Sequence, residues 1–300
     1  MTTKVSALIL SYNEEKHIER CITSLKSIGV NVFVVDSYST DETVKIAKSL
    51  GAQVYQNKWI NYSEQYNWGL DNCPIDTEWV MRMDADEYVT EELANEIKLK
   101  IASLPENTNG VYVKRRVHFM DKWIKNGAYY PTWLLRLWRH KKGFCEKRWM
   151  DEHIKLTEGT SVNFDHDIVD DNLNNLTWWT TKHNNYATRE VVDILNIIFN
   201  FLDYDEVDAK LFGSQEERKR WLKVKYANMP LFIRPFLYFI YRYFVRLGFL
   251  DGKKGMIWHF LQGFWYRFLV DAKIYDIYRK AGKNKEAIKA CLKDDYGIDI

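Results

Sequence analysis

Three hundred residues suit one large domain or a domain with an appendage, and 46% apolar with 28% charged residues is ordinary for a globular chain, which excludes a low-complexity protein. Four cysteines (Cys21, Cys73, Cys145 and Cys291) lie far apart with no C-x-x-C pair, which argues against a zinc site or a disulfide framework and for a reducing compartment. The net charge of +2 hides an asymmetry: residues 218–285 carry sixteen Lys and Arg against three acids, while residues 1–217 carry about −9.

The opening "MTTKVSALILSYNEE" has a short apolar run followed by Tyr12-Asn13-Glu14-Glu15 where a cleavage site would be, so it is not read as a secretory leader. "KVSALILSY" is predicted as a buried strand, and "EEKHIERCITSLKSI" as a helix with Ile18, Cys21, Ile22 and Leu25 on one face, ended by Gly29. "NVFVVDS" is a second strand. "TDETVKIAKSLG" is a second helix, with Thr40 as N-cap and Gly51 at its end. "AQVYQN" is a third strand, "YSEQYNWGLDNC" a helix, "EWVMRMD" a fourth strand, and "TEELANEIKLKIASL" a helix capped by Thr90. Alternation with short links implies a mostly parallel sheet covered on both faces, with the strand carboxyl ends along one edge. "GVYVKRRVHFM", "TWLLRLWRH" and "HIKLTEG" read as strands of a mixed, partly antiparallel extension. Residues 173–200 read as helix. From about Ser214 the chain is aromatic-rich helix, broken at Pro230, Pro235 and Gly248–Gly255. These features predict an α/β domain over 1–212 and a helical region over 213–300.

Ligands of open α/β sheets bind beyond the strand carboxyl ends. Three features fall there: Tyr12-Asn13-Glu14, Asp36-Ser37 and Asp84-Ala85-Asp86. Two carboxylates one residue apart can face one cation, and oxygen-only ligands favour Mg²⁺ or Mn²⁺ with a substrate diphosphate as co-ligand. The alternative is a strand end followed by a helix whose first turn favours acids, with Glu91 and Glu92 continuing the run. Asp36 closes a strand about twenty residues after the first turn, where an acid often holds ribose or base groups. No G-x-G-x-x-G follows the first strand, and Glu14 and Glu15 occupy that turn.

At these residues the sequence resembles glycosyltransferase family 2, the inverting nucleotide-sugar enzymes of the GT-A fold. The matching elements are "LILSYNEEKHIERCITSL", "VFVVDSYSTDET", "SEQYNWGL" and "WVMRMDADE", in the family's order over roughly the first 120 residues. "PTWLLRLWRH" and "KRWMDEHI" extend the likeness toward the branch that builds lipopolysaccharide cores and related surface glycans. The resemblance implies a GT-A mixed sheet with helices on both faces, a nucleotide-sugar region over 1–120, an acceptor side over 121–212 and hexosyltransferase-type activity, with UDP as the default base. It implies that Tyr12, Glu14 and Asp36 contact the nucleoside, that Gln65 and Asn67 line the donor pocket, that Asp84 lies near ribose or diphosphate, and that Asp86 binds the metal. The acceptor hydroxyl would be activated by Asp151 or Glu152, whose order is unusual for the family, with Glu152 slightly favoured. A late His serves some enzymes of this fold as a metal ligand. His166 in "FDHDIVDD" is the candidate here, beside the reading of a structural histidine. Lys182 or His183 is a candidate to meet the diphosphate, against the reading of an exposed helix face, and Trp123, Trp133, Trp138 and Trp149 divide between acceptor stacking and core.

"PLFIRPFLYFIYRYFVRLGFL" is long enough for a membrane helix but is interrupted by Arg234, Pro235, Arg242 and Arg246, so it reads as an interfacial segment facing anionic lipid. Packing on the catalytic domain or on a second copy of the chain is the alternative. A cytoplasmic protein, peripheral on the membrane and acting on a glycan or lipid-linked acceptor, is the expectation. Nucleic acid is not expected as a partner, because Arg-interrupted apolar runs suit lipid better. The rival functions are a sugar-nucleotidyltransferase, which would want a basic Gly-rich first loop, and a non-catalytic membrane scaffold.

Overall fold

The first apolar run is buried along its whole length as β1 (Val5–Ser11). In this computed structural model, which describes residues 4–147, 152–201, 212 and 215–298, β1 opens a regular alternation of strands and helices. α1 (Ile18–Lys26), β2 (Asn31–Asp36), α2 (Thr43–Ser49), β3 (Gln53–Gln56), α3 (Tyr62–Asn72) and β4 (Trp79–Asp84) follow in turn. Next come β5 (Glu87–Val89), α4 (Glu91–Lys100), β6 (Thr108–Phe119), β7 (Lys122–Ile124), β8 (Thr132–Arg139), β9 (Gly143–Cys145), β10 (Ile154–Leu156) and β11 (Thr160–Asp171). These elements form one compact unit, Met1–Glu146 with Glu152–Asn174.

The sheet order is β3-β2-β1-β4-β8-β6-β11-β5, with β7 added to β6 and with β9 and β10 paired separately. β1 to β4 are parallel, β8 runs antiparallel to both β4 and β6, and β6 and β11 are parallel. Alternate residues of β1 serve the two faces. Val5, Ala7 and Ile9 join a core with α1 and α4, whereas Leu8 and Leu10 join one with Tyr66, Trp138 and Cys145. Both faces are covered, which is why β1 and β2 read as unbroken apolar runs. Gly69 lets α3 press on the sheet: a Cβ there would lie 2.8 Å from Val35 Cγ2.

Several local expectations change. Thr90 caps α4, accepting from the Leu93 N–H at 3.2 Å. Thr40 does not cap α2. That helix begins at Thr43, whose N–H donates to Asp41 Oδ1 at 3.0 Å. β11 was not foreseen as a strand, because "FDHDIVDD" lacks an apolar pattern. Its acids are compensated across the strand pair: Asp167 by Arg116 at 2.7 Å and Asp170 by Arg115 at 3.4 Å. "HIKLTEG" contributes only the short β10, outside the main sheet.

The second unit holds Asn175–Ile300. It comprises α5 (Leu176–Phe199), α6 (Gln215–Ala227), α7 (Ile233–Ile240), a π-helical turn (Tyr241–Val245), a 3₁₀ turn (Gly248–Asp251), α8 (Gly252–Trp258), a second π-helical stretch (His259–Trp265), α9 (Tyr266–Ala281) and α10 (Lys285–Tyr296). Ala187, Val191 and Leu195 of α5 pack with Val270 and Ile274 of α9 and Leu292 of α10. α5 thus belongs with the C-terminal helices, and the division falls after Asn174, where composition alone suggests 212. Pro235 occupies the first turn of α7, where no backbone donor is needed, so the helix runs through it.

Candidate active site

The parallel register lines up three strand ends. Ser11 of β1 is opposite Asp36 of β2, and Leu10 is opposite Asp84 of β4. Asp36 and Asp84 therefore stand two strand spacings apart, on the order of 10 Å, on either side of β1.

Asp36 is fully buried. Oδ1 accepts from Ser11 Oγ at 3.0 Å and from Ser39 Oγ at 2.5 Å, and Oδ2 accepts from the Ser39 N–H at 2.8 Å. The loops after β1 and β2 are tied together: the Asn13 N–H donates to Ser39 Oγ, and Asn13 Oδ1 accepts from the Thr40 N–H at 2.8 Å. Asn13 and Tyr38 both adopt positive φ, and the tyrosines of these loops stand out, Tyr12 57% and Tyr38 55% exposed. The motif reading named Tyr12 and missed Tyr38. Glu14 turns inward, its Oε2 2.6 Å from His17 Nδ1.

Gln65 and Asn67 brace α3. Gln65 Nε2 donates to Ser37 Oγ and to the Asn57 carbonyl, both at 3.0 Å. Asn67 exchanges two hydrogen bonds with the Cys145 backbone, at 2.8 and 2.9 Å. The Asn67 amide thereby joins α3 to β9.

The acidic run after β4 divides. Asp84 Oδ1 accepts from the Tyr62 hydroxyl at 2.6 Å, and Oδ2 lies 3.4 Å from Arg136 Nη2. Glu87 Oε1 meets the same Arg136 nitrogen at 2.5 Å, and its Oε2 accepts from the Asp84 N–H. Burial works against ionisation of Asp84, but the charges of Arg136 and Arg82 and the Tyr62 hydrogen bond outweigh it and hold the carboxyl well below the usual range. Glu87 is pushed up, first by burial and then by the Asp84 charge, against the pull of Arg136. Arg136 keeps two further buried N–H groups, on Nε and Nη1, without a protein acceptor.

Asp86 points elsewhere. Its Oδ2 accepts from Asn172 Nδ2 at 3.0 Å, and its carbonyl accepts from Arg20 and from the Asp171 N–H. Among the described residues no three His, Cys, Asp or Glu side chains converge on a metal position. The two oxygens of Asp84, expected near the metal, face Tyr62 and Arg136. His166 pairs with α4: its Nδ1 is 2.7 Å from Glu96 Oε2, and it sits five residues before Asp171 on β11, on the order of 15 Å from the Asp86 end. At the Asp86 end a carboxylate stands with an amide beside it. That donor set fits a hard divalent cation which keeps waters and takes its other ligands from a substrate diphosphate.

Arg82 bridges toward the chain leading into β10. Its guanidinium lies 4.3 Å from the Tyr62 ring centroid and 3.9 Å from Asp84 Oδ1, and its Nη1 donates to the Glu152 carbonyl at 3.2 Å. The structure so brings Glu152 to the Asp84 cluster. Asp151, Arg148 and Trp149 lie outside the described residues. Glu146 Oε1 accepts from the His153 N–H at 3.0 Å and meets its Nδ1 at 2.9 Å, closing the base of this loop. Tyr62, Arg82, Glu87, Arg136 and Asn172 were missed from sequence. A signal was present for the arginines: each interrupts an apolar run within a strand, and a buried cation requires a carboxylate partner. Trp138 is core, Trp123 stacks under Arg116 and Lys125, and Trp133 lies under Lys114. His183 packs on Trp179 inside the second unit, the ring centroids 3.5 Å apart, and Lys182 lies over Trp178 of the same helix.

A parallel half-sheet with acids along its carboxyl edge and an antiparallel extension beyond it defines a nucleotide-diphospho-sugar transferase of the GT-A class. The glycosyl transferase family 2 profile matches residues 6–170. An uncharacterised glycosyltransferase of Rickettsia prowazekii (strain Madrid E) is 30% identical over 290 residues, 93% of this chain and 89% of the relative. A lipopolysaccharide core biosynthesis glycosyltransferase, LpsC of Rhizobium meliloti (strain 1021), is 26% identical over 90% of this chain and 92% of its own. Among solved structures, the mannosyltransferase PcManGT from Pyrobaculum calidifontis, in complex with GDP-Man and Mn²⁺, superposes with a TM-score of 0.52 at 13% identity, covering 91% of this chain and 87% of that one. The chain belongs to glycosyl transferase family 2. It is a transferase, and its donors are nucleotide sugars.

Proposed function

We propose that this glycosyltransferase inverts the anomeric centre of a nucleotide-diphosphate sugar, a UDP-sugar by default, as it transfers the sugar to a hydroxyl of a glycan or lipid-linked acceptor. The pathway read here is cell-surface polysaccharide or lipopolysaccharide synthesis, supported by the full-length likeness to LpsC. We place the enzyme at the cytoplasmic face of an anionic membrane on the strength of its basic, aromatic C-terminal unit.

The observation that carries the chemistry is the division of the acidic run. Asp84 and Glu87 are held by Arg136, and Asp86 faces the strand edge beside Asn172. The exposed Tyr12 and Tyr38 rings flank the buried Asp36 and offer faces to a nucleobase. Arg82 ties Glu152 to the same cluster. The acceptor hydroxyl gives its proton to a carboxylate of the Asp151–Glu152 pair as its oxygen bonds to the anomeric carbon. The bond from that carbon to the diphosphate oxygen breaks with its electron pair, and attack on the opposite face inverts the centre. A divalent cation, Mg²⁺ or Mn²⁺, held by Asp86 and the diphosphate would supply neutralising charge at the leaving phosphate.

The test is a donor-hydrolysis and transfer screen over nucleotide sugars with Mn²⁺ or Mg²⁺, with Asp86→Ala run alongside. The variant is expected to lose about 100-fold or more of metal-dependent turnover at an unchanged melting temperature. Equal turnover would remove Asp86 from the metal role. Glu152→Gln and Asp151→Asn are expected to differ sharply in transfer while both still bind nucleotide. If neither slows transfer, the base lies elsewhere.

A further inference from the structure

Within the second unit, α7 with its π-helical turn runs antiparallel to the helix that begins at α8. Ring pairs close the two arms: Phe232 with Phe268 at 5.2 Å, Phe236 with Phe264 at 6.5 Å, and Phe239 with Phe260 at 6.3 Å between centroids. The residue numbers of each pair sum to nearly the same value, which is the signature of a hairpin. Its tip spans residues 244–256. The tip is tightly built: a Cβ on Gly248 would lie 2.6 Å from His259 Nε2, and one on Gly255 would overlap Asp251.

This tip displays what a folded chain ordinarily hides. Phe244, Val245, Leu247, Phe249, Leu250 and Met256 are all exposed, and the cations among them, Arg246, Lys253 and Lys254, are exposed as well. The acids are withdrawn. Between Arg218 and Tyr275 the chain has two, Asp251 and Asp271, and both are buried, Asp271 against Arg234 at 2.5 Å and Asp251 3.7 Å from His259. The hairpin surface is therefore apolar and cationic with no exposed acid along it. An apolar patch of this kind marks a docking surface, and its charge selects an anionic occupant. Among the described residues no helix is long and apolar enough to cross a membrane. The arm Ile233–Val245 reaches about 20 Å, short of a hydrocarbon core of about 30 Å.

We propose that residues 244–256 insert into the headgroup–acyl boundary of an anionic membrane, the apolar side chains entering the leaflet and Arg246, Lys253 and Lys254 meeting lipid phosphates. This deepens the peripheral-membrane reading above and rests on it, naming the element that makes the contact. Lipid binding is read without turnover, so its failure and that of the transfer chemistry are separable.

The experiment is flotation of the full chain with vesicles of phosphatidylcholine, with and without phosphatidylglycerol. The protein is expected to float with the anionic vesicles and to remain at the bottom with neutral ones. A Phe244→Asp/Leu247→Asp/Phe249→Asp variant is expected to lose ten-fold or more of the bound fraction while keeping its circular-dichroism melt and its donor hydrolysis in solution. Lys253→Glu/Lys254→Glu, which leaves the apolar tip intact, is expected to lose several-fold, with the remainder insensitive to salt. The proposal is overturned if the unsubstituted chain does not float, or if the triple variant floats equally well. It is overturned too if sedimentation shows a dimer that the triple variant splits while neither form binds vesicles, since a second copy would then be the occupant.

Discussion

The two units of this chain dispose of their charges in opposite ways. In the first, acids gather at the strand ends, and arginines are drawn inward to meet them: Arg136 takes Asp84 and Glu87, and Arg20 takes Asp171. Along the hairpin of the second, the acids are drawn inward, Asp271 onto the equally buried Arg234 and Asp251 beside His259, while Arg246, Lys253 and Lys254 remain outside. At the strand ends the arginines restrain Asp84 and Glu87 and leave Asp86 beside an amide. Along the hairpin the carboxylates are hidden and the cations are left exposed. The difference teaches that net charge per segment, which the sequence shows directly, records which sign has been left for the ligand.

The comparison breaks first at its buried pairs. Arg234→Met leaves the fully buried Asp271 without its ion-pair partner and is expected to destabilise the second unit by about 3–5 kcal/mol. Arg136→Met should cost the first unit less, about 2–4 kcal/mol, because Glu87 is already biased toward its neutral form and Asp84 keeps Tyr62 and Arg82. Hydrogen exchange resolved by unit checks both, and equal losses spread over both units would refute the separation.

Acid sharpens the contrast. Burial lowers His183 and His259 of the second unit to about 4. Each stays neutral in the fold while the unfolded chain takes up a proton below about pH 6.5, so stability is full above that pH and drains away as it falls toward 4. The loss is about 3 kcal/mol per histidine. In the first unit, burial opposes ionisation of Glu96, but hydrogen bonds from Lys100, Asp165 and His166 hold it at about 2. Its contribution persists above pH 4.5 and is lost only on the way down to 2. The second unit is expected to melt first in mild acid, and His183→Gln should flatten its pH dependence between 6.5 and 4. His118 and His140 of the first unit are also lowered by burial, so His118→Gln is the control that must not have this effect on the second unit.

The smallest effect is expected at Asn67. Removing its amide leaves the Cys145 N–H and carbonyl without their partner, and Asn67→Ala is expected to cost about 2 kcal/mol in a thermal melt with nucleotide binding retained. Loss of donor affinity at unchanged stability would place Asn67 in the donor pocket.

Much of the first unit was legible because its strands are either fully buried or bounded by turn residues. Val5–Ser11 could be little else, and Thr90 announced α4. β11 was illegible because its acids are matched by arginines on a neighbouring strand, and strand pairing is not written in either segment alone. The same limit applied to the site. Spacing located the acids after β4 correctly, but their separate duties follow from Arg136, which lies about fifty residues downstream and joins them only through the β4–β8 pairing. The end of the first unit at Asn174 was hidden by composition, since α5 carries no basic excess and declares itself only by packing on α9.

The Glu146–His153 clasp has a mechanical corollary. Because those two side chains fasten the ends of the intervening segment to each other, β9 and β10 keep their register whatever length of chain lies between them. A change at either member of the clasp is therefore expected to loosen β9 against β10 while leaving the pairing of β4 with β8 in place.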